Sequence, residues 1–329
     1  MKKFLVLGSN SFTGSHFVNF LIEKKIFVIG ISRSYERKEY FSPYYYNLNK
    51  KKFFKFFKFD LNKDQKKIID TIKKYKPTYV VNFASQSMVA QSWENPIDWY
   101  KTNVISSIRL IENIKNFKFI KKYTHVSTPE VYGETKINML ETENYFPSTP
   151  YAISRSCFDH HLMATVKNYN FPAVFTRAAN VYGPYQELYR IIPRALYSVF
   201  FPKKIVLDGG GKSKRSFIYV KDVVDATFKI TLKGKKGEIY HISNNYLISI
   251  LSLVKKIFKT SNVDIRKKIL TGRERVGKDN IYSLNSKKLR KLNWKPKISL
   301  DKGLLETFLW FKKYKSFLKN KNLKYQHKK

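Results

Sequence analysis

The chain has 329 residues, 43% of them hydrophobic, which is enough to bury the core of a large α/β domain and a smaller lobe. Its formal net charge of +40 is spread along the whole sequence, so it does not by itself indicate nucleic-acid binding, although a positive field attracts anionic nucleotides. The single cysteine, Cys157, excludes a disulfide framework, and no apolar run reaches the roughly 18 residues of a membrane span, so we expect a cytoplasmic protein.

A glycine-rich turn follows the first predicted strand, residues 4–7, and precedes an amphipathic helix that ends near residue 24. This order of strand, turn and helix is typical of dinucleotide-binding folds, in which the helix N-terminus faces a pyrophosphate. Ser11 stands where a middle glycine is usual, and an ordinary tight turn is the alternative interpretation. The expected cofactor contacts are Gly8, Asn10, Ser11, Phe12, Thr13 and Gly14.

The second predicted strand, residues 27–31, ends at Ser32 and Arg33. An acidic residue at this position holds the adenosine ribose of NAD, whereas an arginine accommodates the 2′-phosphate of NADP. Ser32 brings no carboxylate that would repel the phosphate, and Arg33 can donate two hydrogen bonds to it. The sequence therefore favours NADP and leaves NAD open, and Arg33 could instead be one more surface cation.

Two further predicted strands bring residues to the same edge of the sheet. Residues 53–59 end at Asp60, which could accept from the adenine amino group or cap the next helix. Residues 78–84 lead into small residues that a cofactor can pass closely, and a predicted helix at 99–116 carries Asn103. These segments add Asp60, Leu61, Ala84, Gln86 and Asn103 to the expected cofactor contacts.

The fifth predicted strand, residues 122–127, delivers Thr128 and Glu130 to the carboxyl edge of the sheet, where ligands bind in open parallel sheets. A helix that begins near Tyr151 places this residue and Arg155 one turn apart. Together these side chains can take a proton from a sugar hydroxyl while a hydride leaves the same carbon. An exposed helix pair and a surface carboxylate are the alternatives.

The second half of the chain predicts a smaller lobe after a sixth strand at residues 173–177. Residues 216–223 and 240–243 are expected to return to the main sheet, and residues 317–329 to form a frayed basic tail. The expected architecture is α/β, with a Rossmann-type doubly wound parallel sheet and a smaller C-terminal substrate-binding lobe. The dinucleotide-binding domain is assigned to residues 1–180, with returns near 215–245, and the lobe with its tail to residues 181–329.

From Gly8 through Trp294 the chain resembles the extended short-chain dehydrogenases that act on sugar nucleotides, the NAD(P)-dependent epimerase/dehydratase family. Within it, the resemblance is strongest to the dTDP-glucose and GDP-mannose 4,6-dehydratases. The motifs that carry the resemblance are residues 8–14, 82–87, 127–133, 151–155, 177–184, 215–222 and 275–279.

This resemblance implies that Tyr151 takes the proton of the sugar C4 hydroxyl, that Thr128 hydrogen-bonds the hydroxyl, and that Glu130 removes the C5 proton so that water leaves from C6. The hydride taken from C4 returns to C6, giving a 4-keto-6-deoxy sugar without net consumption of cofactor. Tyr151 and Arg155 are also expected to contact the cofactor, and a homodimer is implied through the helices near Trp99 and Tyr151. The implied substrate contacts are Ser87, Asn180, Arg190, Arg215 and Arg275.

Two residues depart from the family pattern. Pro129 stands where the dTDP-glucose type has an aspartate that protonates the departing C6 hydroxyl, so Glu130 or water would act as the acid. Arg155 replaces a lysine that lowers the pKa of the tyrosine and binds the nicotinamide ribose. A base active near neutrality needs a tyrosine pKa lowered by about 3 units, which one cation about 4 Å away supplies at an effective dielectric constant near 20.

Three other functions stay open at this point. A sugar-nucleotide 4-epimerase uses the same tyrosine chemistry without a C5 base, and a C4 decarboxylase also keeps Thr-x-Glu but needs a uronic acid substrate. A non-catalytic dinucleotide-binding protein is the third alternative, suggested by the lost lysine. No metal site is expected, because the adjacent His160 and His161 cannot face one ligand from a helix.

Overall fold

A computed structural model describes residues 2–135, 138–244, 246–259, 261, 263–264, 268–274 and 281–327. The helices are α1 (Phe12–Glu23), α2 (Lys50–Phe53), α3 (Gln65–Tyr75), α4 (Val89–Glu94), α5 (Pro96–Tyr100), α6 (Ser107–Ile114), α7 (Pro150–Tyr169), α8 (Ile191–Phe200), α9 (Val220–Lys233), α10 (Ile250–Lys259), α11 (Lys287–Arg290) and α12 (Leu300–Leu318). A π-helical segment, Lys101–Ser106, joins α5 to α6. A 3-10 turn, Pro129–Tyr132, follows the fifth strand.

The strands are β1 (Lys3–Leu7), β2 (Phe27–Ser32), β3 (Phe54–Lys58), β4 (Tyr79–Asn82), β5 (Lys122–Val126), β6 (Ala173–Ala178), β7 (Asn180–Tyr182), β8 (Ile205–Asp208), β9 (Lys214–Tyr219), β10 (Ile239–Ile242), β11 (Leu247–Ser249), β12 (Ile269–Gly272) and β13 (Ile281–Tyr282). Seven of these described strands form the main sheet in the order β10-β6-β5-β4-β1-β2-β3. Each neighbouring pair is parallel.

Helices cover both faces of the main sheet, as the continuous apolar run of β1 requires. Leu5 and Leu7 point to the face covered by α3, α6 and α7. Phe4 and Val6 point to the opposite face, which is covered by α1 and α9. The predicted doubly wound α/β fold is confirmed.

The smaller lobe has sheets of its own. β9 pairs with β7, β11 and β13, and β8 pairs with β12. The prediction that residues 216–223 return to the main sheet is therefore wrong for the strand they contain, whereas β10 does join that sheet beside β6. β10 is buried at all four residues, as a sheet covered on both faces demands, while β9 begins at an exposed lysine.

The C-terminal helix extends two residues into the segment that was predicted to be a frayed tail. α12 continues to Leu318 because Phe311, Tyr314 and Leu318 recur at helical spacing and lie in the core of the smaller lobe. Residues 319–327, which were predicted to belong to the frayed tail, follow α12 without forming a helix or a strand. No helix in the described part of the chain is long and apolar enough to cross a membrane.

Candidate active site

The carboxyl ends of β1, β2 and β4 open onto a cavity of about 460 Å³. Binding sites for small molecules and cofactors commonly measure about 300–1,000 Å³. The predicted cofactor residues that line the cavity are Gly8, Asn10, Ser11, Ser32, Arg33, Asp60, Leu61, Ala84 and Gln86. The predicted cofactor residues outside its lining are Phe12, Thr13, Gly14, Asn103, Tyr151 and Arg155.

The turn between β1 and α1 leaves no room for side chains at its two glycines. Gly8 has a φ of +74°, and a Cβ there would lie 2.7 Å from the backbone nitrogen of Ala84. A Cβ on Gly14 would lie 2.3 Å from the Gly8 carbonyl oxygen. Ser11 caps α1, because its hydroxyl accepts from the Gly14 N–H at 3.1 Å. This arrangement brings the N-terminus of α1 close to the cavity, and the residues present fit the pyrophosphate of a dinucleotide.

Asn10 organises the loop after β2 as well as lining the cavity. Its amide nitrogen donates to the carbonyl oxygens of Ser34 and Tyr35, each at 2.8 Å. Its backbone N–H donates to the Ser32 hydroxyl at 2.9 Å. These bonds fix the segment that carries Arg33 at the mouth of the cavity.

Asn103 supports the cavity from behind. Its side chain is buried, accepts from the Gln86 N–H at 2.8 Å and donates to the Gln86 carbonyl at 3.0 Å. The same amide donates to the Ser154 hydroxyl at 3.0 Å. Asn103 therefore positions Gln86 and connects its loop to α7.

The residues predicted to be catalytic lie just after the end of β5 and in the first turns of α7. Thr128 caps the 3-10 turn after β5 and accepts from the Glu130 N–H at 3.3 Å. Thr149 caps α7 with Pro150 at its first position, which sets Tyr151 in the first helical turn. Tyr151 is only 8% exposed.

A tyrosine that acts as a base near neutrality needs a lowered pKa, whereas the pKa of Tyr151 is raised. Burial raises this pKa, and the charge of Glu130 raises it further, while the Arg155 charge and the Thr128 hydroxyl lower it. The net shift is upward because desolvation outweighs the cation. Thr128, Glu130 and Arg155 are thus all close enough to Tyr151 to influence its ionisation. The charge of Arg190, predicted as a substrate contact, also lowers the Tyr151 pKa.

Arg155 is directed into the protein rather than along the cavity. It is 3% exposed, its guanidinium donates to the Val126 carbonyl, and its Nη2 lies 3.2 Å from Nε2 of His125. Arg155 therefore does not line the cavity, and its expected contact with a cofactor stays a prediction. A guanidinium is longer and more forked than an ammonium, which lets it reach both the Val126 carbonyl and the His125 ring.

Sequence reasoning missed a buried polar network that continues from Arg155. Nε2 of His125 lies 3.2 Å from Oδ1 of Asp159, and Oδ2 of Asp159 accepts from Arg177 Nη2 at 2.9 Å and from the Ser127 hydroxyl at 2.7 Å. Asp159 follows Arg155 by four residues on α7, a spacing that places both on one helix face and was an available signal.

Charges within this network set its protonation. Burial would raise the pKa of Asp159, but the His125 hydrogen bond and the charges of Arg177 and Arg155 hold it well below the usual carboxyl range. Burial lowers the pKa of His125 to about 4, so its imidazole is neutral near pH 7. The carboxylate of Asp159 on α7 is therefore close to two buried cations, Arg155 on the same helix and Arg177 on β6.

The remaining predicted substrate residues are more dispersed. Ser87 is exposed after β4, and Asn180 is exposed at the start of β7. Arg190 occupies the N-cap position of α8, and its guanidinium lies 5.4 Å from the centre of the Tyr189 ring. Arg215 lies on β9 in the smaller lobe, and Arg275 lies outside the described residues.

Known proteins similar to this chain share its fold over nearly the whole length. The dTDP-glucose 4,6-dehydratase of Haemophilus influenzae is 30% identical, over 94% of this chain and 98% of that protein. The crystal structure of dTDP-glucose 4,6-dehydratase from Bacillus anthracis in complex with NAD superposes with a TM-score of 0.85 at 28% identity, covering 96% of this chain and 98% of that one. The UDP-glucose 4-epimerase of Thermotoga maritima, solved with UDP-glucose, gives 0.83 at 28% identity, covering 94% and 99%.

The family comparison agrees with these individual similarities. The family described as GDP-mannose 4,6 dehydratase matches residues 5–307, which include the glycine turn, Thr128 with Glu130, and the Tyr151 helix. The match spans the main sheet and most of the smaller lobe. The chain belongs to the GDP-mannose 4,6 dehydratase family.

Proposed function

We propose that the protein is a sugar-nucleotide 4,6-dehydratase, which converts an NDP-hexose to its 4-keto-6-deoxy form. The observation that carries this proposal is the position of Glu130. Its backbone N–H donates to the Thr128 hydroxyl, and the charge of its carboxylate raises the pKa of the buried Tyr151. A carboxylate beside the tyrosine is what removal of a C5 proton requires, whereas a 4-epimerase needs no such base.

The chain's own residues divide the proton transfers between them. A nicotinamide dinucleotide bound at the cavity supplies the hydride acceptor for C4, the hydride donor for C6 and, when oxidised, a positive charge. Tyr151 takes the proton of the C4 hydroxyl, which Thr128 orients, and the charges of Arg155 and Arg190 favour the tyrosinate. Glu130 then removes the C5 proton, which the C4 carbonyl has made acidic. Because Pro129 has no proton to give, the protonated Glu130 is the proposed acid for the departing C6 hydroxyl.

The smaller lobe is proposed to hold the nucleotide diphosphate of the substrate. Arg190 is the best supported contact, because it stands on α8 of that lobe and its charge reaches Tyr151. Guanidinium groups bind phosphate oxygens in a bidentate manner, which also suits Arg215. Ser87, in the loop after β4, and Asn180, at the start of β7, are exposed and are proposed as further substrate contacts. Arg275, outside the described residues, stays a predicted contact.

NADP is the proposed preferred cofactor, although the Bacillus anthracis structure contains NAD. Ser32, Arg33 and Arg37 line the cavity, so the end of β2 brings cations and no carboxylate there. Isothermal titration of both oxidised dinucleotides compares their affinities directly. Ser32→Asp should shift the preference toward NAD, and an unchanged ratio of the two dissociation constants would rule out this assignment.

A homodimer is proposed through α4, α5 and α7. Trp93, Ile97, Ile105 and Ile153 are exposed large hydrophobic residues on or next to these helices. Exposed apolar residues on neighbouring elements are typical of a protein interface. Light scattering coupled to size exclusion measures the mass, and Ile97→Asp should give a monomer. The free Cys157 is compatible with the proposed cytoplasmic location.

The decisive experiment follows two hydrogen atoms. A panel of sugar nucleotides (GDP-mannose, dTDP-glucose, UDP-glucose and CDP-glucose), each deuterated at C4, is incubated with the protein in water and in deuterium oxide. Dehydration moves the C4 label to C6 and introduces solvent deuterium at C5 of a 4-keto product. Epimerisation inverts C4, keeps the label there and leaves C5 unexchanged.

Tyr151→Phe is the matched control, because it removes only the hydroxyl that takes the proton. Loss of turnover in this variant assigns the reaction to the site described above. Negligible turnover in both proteins, with every substrate and both dinucleotides, would instead support a non-catalytic dinucleotide-binding protein.

A further inference from the structure

The C-terminal tail, residues 319–327, is attached to the protein at both ends. At its start the Lys319 carbonyl accepts from the Tyr197 hydroxyl, and Leu323 packs on the core of the smaller lobe. At its end His327 Nε2 lies 2.7 Å from Asp98 Oδ2, and its ring stacks on Trp99 with centroids 5.1 Å apart. The tail therefore runs from the lobe to α5, beside the main sheet.

Between these attachments the tail forms one wall of the 460 Å³ cavity. The Tyr325 hydroxyl donates to Oε1 of Gln86 at 3.4 Å, and its ring contacts Tyr189 edge to face at 5.4 Å. Burial raises the pKa of Tyr325, and the charges of Arg33 and Arg190 lower it. The tail residues that line the cavity are Lys321, Asn322, Lys324, Tyr325 and Gln326.

The charge of this wall favours an anionic ligand. Among the described residues that line the cavity, the lysines and arginines are Arg33, Arg37, Lys321 and Lys324, and the acids are Asp60 and Glu187. Arg37 is paired with Glu187 at 2.8 Å, so the tail supplies a large part of the cationic surface that faces the cavity. A dinucleotide carries two phosphates in its pyrophosphate, and NADP carries a third.

We propose that the C-terminal tail is part of the dinucleotide site, with Lys321 and Lys324 attracting the phosphates and Tyr325 closing the cavity against Gln86. This inference rests on the proposed function only in taking the cavity to be the dinucleotide site. A covering wall suits a reaction that returns its hydride, because the dinucleotide does not have to leave between turnovers.

The test measures dinucleotide binding rather than activity. A chain that ends at Asn320 keeps the whole of α12 and removes every cavity-lining residue of the tail. We expect the dissociation constant for NADP⁺, measured by isothermal titration, to rise about tenfold, as the loss of two exposed charge attractions implies. The dissociation rate, measured by displacement of bound NADPH fluorescence, should rise as well.

Point variants separate charge from folding. Lys321→Ala with Lys324→Ala should weaken NADP⁺ binding about fivefold and lower its salt dependence. Lys312→Ala with Lys315→Ala removes the same charge from exposed positions of α12 outside the cavity and should leave the dissociation constant unchanged. If the shortened chain unfolds, as judged by circular dichroism, the paired lysine variants decide.

The outcomes distinguish this inference from the proposed function. Equal affinity of the wild-type protein, the shortened chain and both paired variants would overturn the role of the tail and leave the function standing. Tighter binding by the shortened chain would also overturn it, since the tail would then exclude the dinucleotide. Absence of any dinucleotide binding by the wild-type protein would remove the proposed function, and this inference with it.

Discussion

Replacing Asp159 by asparagine keeps the shape of the side chain and removes the carboxylate that faces Arg155 and Arg177. Asp159 and Arg177 are completely buried, with Oδ2 and Nη2 2.9 Å apart. Two unit charges at this distance attract by about 6 kcal/mol at an effective dielectric constant near 20. Asparagine retains some hydrogen bonding, so we expect the free energy of unfolding to fall by about 3–5 kcal/mol, the range found when one partner of a buried ion pair is removed.

Guanidinium-induced unfolding followed by circular dichroism measures this change through linear extrapolation to water. Asp225→Asn is the matched control, because its partner Lys229 lies 3.6 Å away in a partly exposed pair on α9. The control should change the free energy of unfolding by less than about 0.5 kcal/mol. If Asp159→Asn lost less than about 1 kcal/mol, the two arginines could not depend on this carboxylate, and the electrostatic account of the network would be refuted.

Three more predictions concern the active site and the buried histidines. The Glu130→Gln variant should still oxidise C4, which is seen as the absorbance of reduced nicotinamide on mixing with substrate. Formation of its 6-deoxy product should slow by about 10²–10⁴-fold. An unchanged rate of product formation would contradict the role of Glu130. Arg155→Lys should reduce the free energy of unfolding by about 1–2 kcal/mol, because an ammonium cannot copy the contacts of the guanidinium with Val126 and His125; equal denaturation midpoints would contradict this geometry. Burial lowers the pKa of His16 and His125 to about 4 and that of His241 to about 3. Because these histidines bind protons more readily in the unfolded chain, the free energy of unfolding should decline as the pH falls from about 6.5 toward 4. A urea midpoint that does not change over this pH range would contradict this prediction.

Local sequence patterns were sufficient for the main sheet. The apolar run of β1, the turn between Gly8 and Gly14 and the amphipathic α1 are all short-range signals, and each predicted its element. β9 was assigned to the wrong sheet because a buried strand has the same pattern whichever neighbour it pairs with.

Long side chains and terminal segments depend on contacts that the sequence does not display. The direction of Arg155 is set by the carbonyl of Val126 and the ring of His125, both on a strand that precedes α7 by more than twenty residues. The tail looked like a solvated end because it is basic. Its position depends instead on Asp98 and Gln86, more than two hundred residues earlier in the chain.

The place of β10 beside β6 has a consequence for biosynthesis. The ribosome delivers β1 to β6 first, yet the strand that covers the edge of β6 arrives only after β7, β8 and β9 of the smaller lobe have been made. Until then β6 presents the unpaired backbone of residues 175–178, a template for strand pairing with other chains. Expression of residues 1–180 alone should therefore yield aggregates, and a version extended through Ile242 is the shortest that closes this edge.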